Sequence, residues 1–218
     1  MKILELEIPT NNLEQTKRFY TDVLELKVAE STANSVTFLA GYSRLRFTES
    51  DNKNRNYHFA FNIPCNKIDE ALKWLSTKCE VIKNSAGELI TVFKNWNAHS
   101  IYFYDASNNI LEFIARHDLE NTSDQYFGRK DILSISEVGI VDDKPLDLAE
   151  NLIEEEGLSY FARGPKREDF VALGDDNGLI VISGSERNWY PTDHPAERDE
   201  LKMKLEVNNA TREITIST

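Results

Sequence analysis

Tyr57-His58-Phe59-Ala60-Phe61-Asn62-Ile63-Pro64 decides how this chain is read, because it restarts a pattern the sequence has already run through once. An apolar-rich strand stops at proline, and helical spacing follows from about Asp69 through Trp74, Leu75 and Lys78. The chain opens the same way. Ile3, Glu5 and Glu7 share one face of a strand and Leu4, Leu6 and Ile8 the other, so one face is greasy and the other carries carboxylates. Pro9-Thr10-Asn11-Asn12 then supplies turn and N-cap chemistry before Leu13, Thr16, Phe19, Tyr20 and Val23 recur at helical spacing through Leu24. β-rich segments near 26–30, 34–40 and 43–49 complete one βαβββ unit. Segments near 79–83, 88–94, 98–104 and 110–115 complete a second, the last after the turn Asp105-Ala106-Ser107-Asn108-Asn109, where asparagine tolerates a left-handed backbone. Neither unit has a complete core alone. The duplication therefore predicts an α+β fold in which tandem modules over residues 1–116 close a concave mixed sheet together.

Residues 117–130 are polar and turn-rich and read as a connector. Residues 131–218 read as a second lobe: a third module, then a remnant of a fourth reduced to strands. The third has a strand at Ile132–Val141, a helix at Leu146–Glu156 ending at Gly157, and β segments near 158–163, 168–173 and 178–183. The remnant follows Trp189-Tyr190-Pro191 with strands at Leu201–Val207 and Glu213–Ser217.

Hydrophobic residues make up 40% of the 218 and aromatics 10%, enough for a substantial core. The net charge of -12, without basic runs, would repel a phosphate backbone, so nucleic acid is not an expected partner. No run of about 18 apolar residues predicts a membrane span, and the N-terminal strand lacks signal-peptide regions, so a cytoplasmic protein is expected. Cys65 and Cys79 belong to no metal-binding or redox motif.

Three segments resemble the vicinal-oxygen-chelate (VOC) superfamily, which includes glyoxalase I, the fosfomycin-resistance enzymes and type I extradiol dioxygenases. Leu13 to Leu26 resembles the family's "FYxxVLGL" helix and turn, with Glu25 where glycine is usual. Tyr57 to Phe61 is similar to its second entering strand, and Ser100 to Glu112 to its "YFxDPxGNxxE" hairpin, with Ala106 for proline and Asn108 for glycine. The resemblance implies four cavity-facing positions on the first and last strands of the paired units, falling here on Glu5, Arg46, His58 and Glu112. Glu5 and Arg46 depart from the usual residues; His58 and Glu112 fit. A metal held by Glu5, His58 and Glu112 would be Mn, Fe(II), Ni or Zn, a mixed N/O set with open positions. Arg46, Tyr102, Glu7 and His99 are the candidate substrate contacts.

Two glutamates about 5 Å apart would repel by roughly 3 kcal/mol at an effective dielectric of 20, so something must neutralise Glu5 and Glu112. A divalent cation does so; Arg46 between them, or a shared proton, does so without metal. The equivalent positions of the third module hold Glu137 and the apolar Ile182 with no histidine. Residues 132–218 are therefore expected to serve as a packing, dimerisation or lid element, and chemistry is expected in the first lobe. Two function classes follow: a metal-dependent lyase, isomerase or oxygenase acting on a small oxygen-rich metabolite, or a metal-free small-molecule binding protein. A small-molecule ligand and a homodimer partner are the associations considered; a purely structural role predicts a filled cavity.

Overall fold

The computed structural model describes residues 1–51 and 56–217. The first module runs β1 (Lys2–Thr10), α1 (Leu13–Arg18), β2 (Lys27–Ser31), β3 (Ser35–Ala40) and β4 (Ser43–Glu49). The second runs β5 (His58–Ile63), α2 (Ile68–Ser76), β6 (Val81–Ile82), β7 (Thr91–Phe93), β8 (Ala98–Tyr104) and β9 (Ile110–Arg116). The third runs β10 (Ser134–Val141), α3 (Pro145–Glu156), β11 (Lys166–Arg167), β12 (Phe170–Asp175) and β13 (Gly178–Ser183), and the remnant is the hairpin β14 (Leu201–Val207) and β15 (Ala210–Ile216). The expected strand near 158–163 makes only a bridge from Tyr160 to Leu173, because Gly164-Pro165 interrupts the ladder before it can extend.

Local chemistry fixes the elements. Asn12 caps α1, its Oδ1 accepting from the Gln15 amide at 3.0 Å. The predicted helix through Leu24 changes character at Phe19–Val23, a π-type turn in which the Leu24 amide reaches back to Phe19. Both motif positions where glycine is usual carry a positive φ: Glu25 at 55° and Asn108 at 64°. The two motifs also meet, since the buried Tyr20 hydroxyl donates to Asp105 Oδ2 at 2.8 Å while Asp105 Oδ1 accepts from the Ser107 and Asn109 amides. Gly157 ends α3 at φ 71°, as the sequence predicts.

Each module keeps one internal order, its first strand parallel to its last. The order between modules differs from the sequence expectation. β1 does not pair with β5. Instead β5 pairs antiparallel with β10 of the third module, and β1 pairs antiparallel with β14, touching β10 at the single register Ile3–Ile135. Two concave half-sheets result, joined into one sheet by that narrow contact. The physical reason is edge completion: both β5 and β1 find an antiparallel partner beyond residue 130, so neither is left to close against the other. The helices cover the convex side, where Tyr20, Leu24, Ala71, Leu75, Ala149 and Leu152 pack on Phe38, Phe47, Phe59, Phe61 and Phe113 in one continuous core.

A β-bulge positions the site. Across β5, Ile135 stands opposite Phe61 and Glu137 opposite Ala60, so Ser136 is an extra residue. Ile135 thus keeps its side chain in the helix-side core while Glu137, two residues later, points into the cavity.

Candidate functional site

The concave face of the β5–β10 half-sheet encloses a cavity of about 270 Å³. Its floor holds His58 from β5, Glu112 from β9 and Glu137 from β10, each at least nine-tenths buried. One ligand atom from each lies within 4.8 Å of the others, the only such group of three among the described residues. Two donors that share an ion at about 2.1 Å can be no more than about 4.2 Å apart, so the cluster needs little closing to hold one.

His58 Nδ1 donates to the Ile110 carbonyl at 3.1 Å, which fixes the tautomer and leaves the Nε2 lone pair facing Glu112 Oε2 at 3.7 Å. Burial pushes the imidazole down to about 4, against the opposing bond to Ile110, so the ring is neutral at physiological pH. Burial, and then the charge of Glu137, push Glu112 up to about 8, with neighbouring hydroxyls and Arg116 pulling the other way. Glu137 is raised by burial and held back by Arg116, a fully buried guanidinium that pairs with it directly and reaches Asp176 Oδ1 at 3.5 Å.

Aromatic side chains wall the floor off from water. The Trp189 ring lies 5.3 Å from His58, and it can do so because β10 carries Gly139: a Cβ there would sit 2.6 Å from Trp189 Cη2. Tyr102 stands over Glu112, its hydroxyl raised by burial and by that carboxylate. Tyr190 meets Tyr102 edge-on at 5.6 Å and Phe93 at 5.8 Å.

The structure brings His58, Glu112 and Tyr102 together and places the other predicted residues elsewhere. Glu5 pairs with Arg44 at 3.2 Å on the β1–β14 half-sheet, Glu7 with Arg46 at 3.4 Å and Lys202 at 3.5 Å. Arg46 therefore does not lie between Glu5 and Glu112; it also reaches Ser35 at 3.1 Å. The displacement follows from β1 pairing with β14 rather than β5. His99 alternates out of phase with Tyr102, and its Nδ1 contacts His117 Nε2 at 2.6 Å on the helix side of β8.

The third module, expected only to pack, dimerise or act as a lid, supplies the second carboxylate of the cluster. Its last strand faces the cavity through Val181, whereas Ile182 lies in the helix-side core. Sequence reasoning missed Arg116 and Trp189. Arg116 had a signal, since it continues the alternation Glu112, Ile114, Arg116 on one face of β9. Trp189 had none beyond its place in a Trp-Tyr-Pro run, because its contact with Gly139 joins two loop-separated segments.

No curated protein gives a significant match. Among solved structures, a candidate dioxygenase from Bacillus subtilis aligns over 84% of this chain and 63% of its own at 17% identity and a TM-score of 0.61, showing a shared fold. Shorter matches include lactoylglutathione lyase from Agrobacterium tumefaciens, at 20% identity over 51% of this chain and 91% of that one, TM-score 0.44. Another is a mutant of the fosfomycin resistance protein FosX from Listeria monocytogenes complexed with Mn(II) and a dihydroxypropylphosphonic acid, at 20% identity over 58% and 98%, TM-score 0.41. A family model matches residues 2–116, more than half of the chain, and the chain accordingly belongs to the Glyoxalase/Bleomycin resistance protein/Dioxygenase superfamily.

Proposed function

We propose that this protein is a metal-dependent enzyme, a lyase, isomerase or oxygenase, that acts on a small oxygen-rich molecule in the β5–β10 cavity, with His58, Glu112 and Glu137 as ligands. The observation that carries the reading is the donor set: three buried groups with ligand atoms converge, and the His58 ring N–H is already spent on the Ile110 carbonyl, which leaves Nε2 free to bind a cation. A divalent cation bound there would act as a Lewis acid on adjacent oxygens of the substrate.

The chain's own groups divide the remaining work. Arg116 neutralises Glu137, so a cation that displaced the proton from Glu112 would meet one uncompensated carboxylate, as in a two-histidine, one-carboxylate set. Tyr102 Oη, beside Glu112, is placed to donate a proton to a substrate oxygen. Trp189, Tyr190 and Phe93 exclude water and give a flat substrate an apolar seat.

Metal-free protein titrated in turn with Mn, Fe(II), Ni and Zn is expected to take up one equivalent and melt at higher temperature with at least one of them. His58→Ala should abolish both effects and Glu5→Gln neither. Absence of stoichiometric uptake with all four overturns the proposal. It would favour a second reading, a metal-free binding protein, which the Arg116–Glu137 pair supports: with Glu137 neutralised, a proton kept on Glu112 is enough to close the cluster.

A further inference from the structure

A second hollow, of about 630 Å³, lies outside the cavity just described. Phe93, Trp96, Pro165 and Arg167 line both, so the two hollows adjoin and these residues stand at the boundary between them. The outer chamber is bordered by Lys94, Arg163 and Arg167 and by no carboxylate. Arg187 adds a fourth cation on the inner side. Two carboxylates oppose the four: Asp118 on Arg163 at 2.5 Å, and Asp169 shared by Arg187 at 2.5 Å and Arg167 at 3.5 Å. Asp176, within electrostatic reach of Arg163, is a third, so one positive charge is left in excess, in a chain whose net charge is -12. Lys94 has no ion pair among the described residues.

Concave walls of low dielectric focus such a field on whatever enters. The inner wall asks for the same kind of atom. Trp189 is only 5% exposed and its Nε1 has no partner, and Arg187 Nε is likewise buried and unpaired. Both are donors without acceptors, a costly arrangement that a ligand bearing oxygen acceptors would relieve.

We propose that the ligand has two parts: a compact, flat, oxygen-bearing head that passes the Phe93–Trp96 boundary into the inner cavity, and an anionic tail, carboxylate or phosphate, held in the outer groove by Lys94, Arg163 and Arg167. The role of the head rests on the metal-site reading above. The selection of an anionic tail does not, and it can be tested alone.

Four probes with one phenyl-butyl body, ending in carboxylate, phosphate, alcohol or amine, should be titrated into metal-free protein by calorimetry, with tryptophan fluorescence reporting the boundary. The anions are expected to bind at least tenfold tighter than the alcohol at low salt and the amine weakest, and the two anions separate a carboxylate from a phosphate tail. Raising salt, or the double variant Lys94→Gln and Arg163→Gln, should bring the anions to the affinity of the alcohol while leaving the alcohol unchanged. Both residues are exposed, so the variant should fold, and an unchanged melting temperature checks it. Equal binding of anion and alcohol, an anion advantage that survives the double variant, or no anion binding at millimolar probe overturns the proposal. The His58→Ala variant should keep the full anion advantage, which separates failure of the metal reading from failure of this one.

Discussion

The two concave half-sheets share a register and differ in what fills it. On the β5–β10 face, Glu137 stands beside Leu179 of the parallel strand, and Gly139 beside Val181. On the β1–β14 face, the matching pairs are Glu5 beside Arg44 and Glu7 beside Arg46, with Lys204 and Lys202 opposite them on β14. The strands enter alike, Ile135-Ser136-Glu137 and Ile3-Leu4-Glu5, each with a bulge at the middle residue. One carboxylate is therefore buried among apolar neighbours and the other lies in a half-solvated ladder of opposite charges. The ladder satisfies its glutamates with surface cations worth little each. The apolar face cannot, and so it concentrates its demand for positive charge on Arg116 and on whatever the cavity binds.

The contrast is broken most directly at Arg116. Arg116→Met leaves Glu137 buried without its partner and is expected to cost about 3–5 kcal/mol in chemical denaturation, against about 1 kcal/mol or less for Arg46→Met on the ladder. Equal losses would mean that the two faces are energetically alike. The next effect is a pH dependence. Glu112 has a folded pKa raised above its unfolded one, so its contribution to the stability of metal-free protein is full below the ordinary carboxylate range and is lost as pH rises toward 8. His58, lowered to about 4, acts in the opposite sense and loses its contribution as pH falls from about 6.5 toward 4. The stability of Glu112→Gln relative to wild type should accordingly grow between pH 5 and 8, by a few kcal/mol in urea titrations.

Gly139→Ala tests the wall. Its methyl would collide with Trp189, with an expected cost of about 1–3 kcal/mol and a red-shifted tryptophan emission as the ring is displaced. The smallest effect is expected for Glu5→Gln, within about 1 kcal/mol by thermal melting, because Arg44 retains Glu30 at 3.4 Å.

Local patterns in the sequence located nearly every strand and helix, and strands such as Ala98–Tyr104 and Gly178–Ser183 to the residue, because alternation and turn chemistry are local. The left-handed Asn108 is legible for the same reason, and Glu25 only through the family motif in which glycine is usual there. Which module closes against which was not legible. Every first strand offers the same kind of edge, and the choice between β5 and β14 as partner for β1 depends on contacts made across more than a hundred residues. That single ambiguity moved Glu5, Glu7 and Arg46 out of the cavity and brought Glu137 in. Glu137 stood at an inward position in the sequence reading as well. Its counterpart within its own module is Ile182, which offers no ligand atom, whereas the structure sets it beside His58 and Glu112 of the preceding module.

Ser136 gives the arrangement an unusual form of fragility. A strand is a two-phase object, and one supernumerary residue inverts the phase of all that follows it. Pairing without the bulge, so that Ser136 stood opposite Ala60, would turn the Glu137 carboxylate toward the helices, whereas deleting Ser136 would leave Glu137 opposite Ala60. An insertion or deletion of one residue that no bulge absorbs can thus switch a carboxylate into or out of a cavity in a single step, a route to gaining or losing chemistry that substitutions at the ligand positions would never reveal.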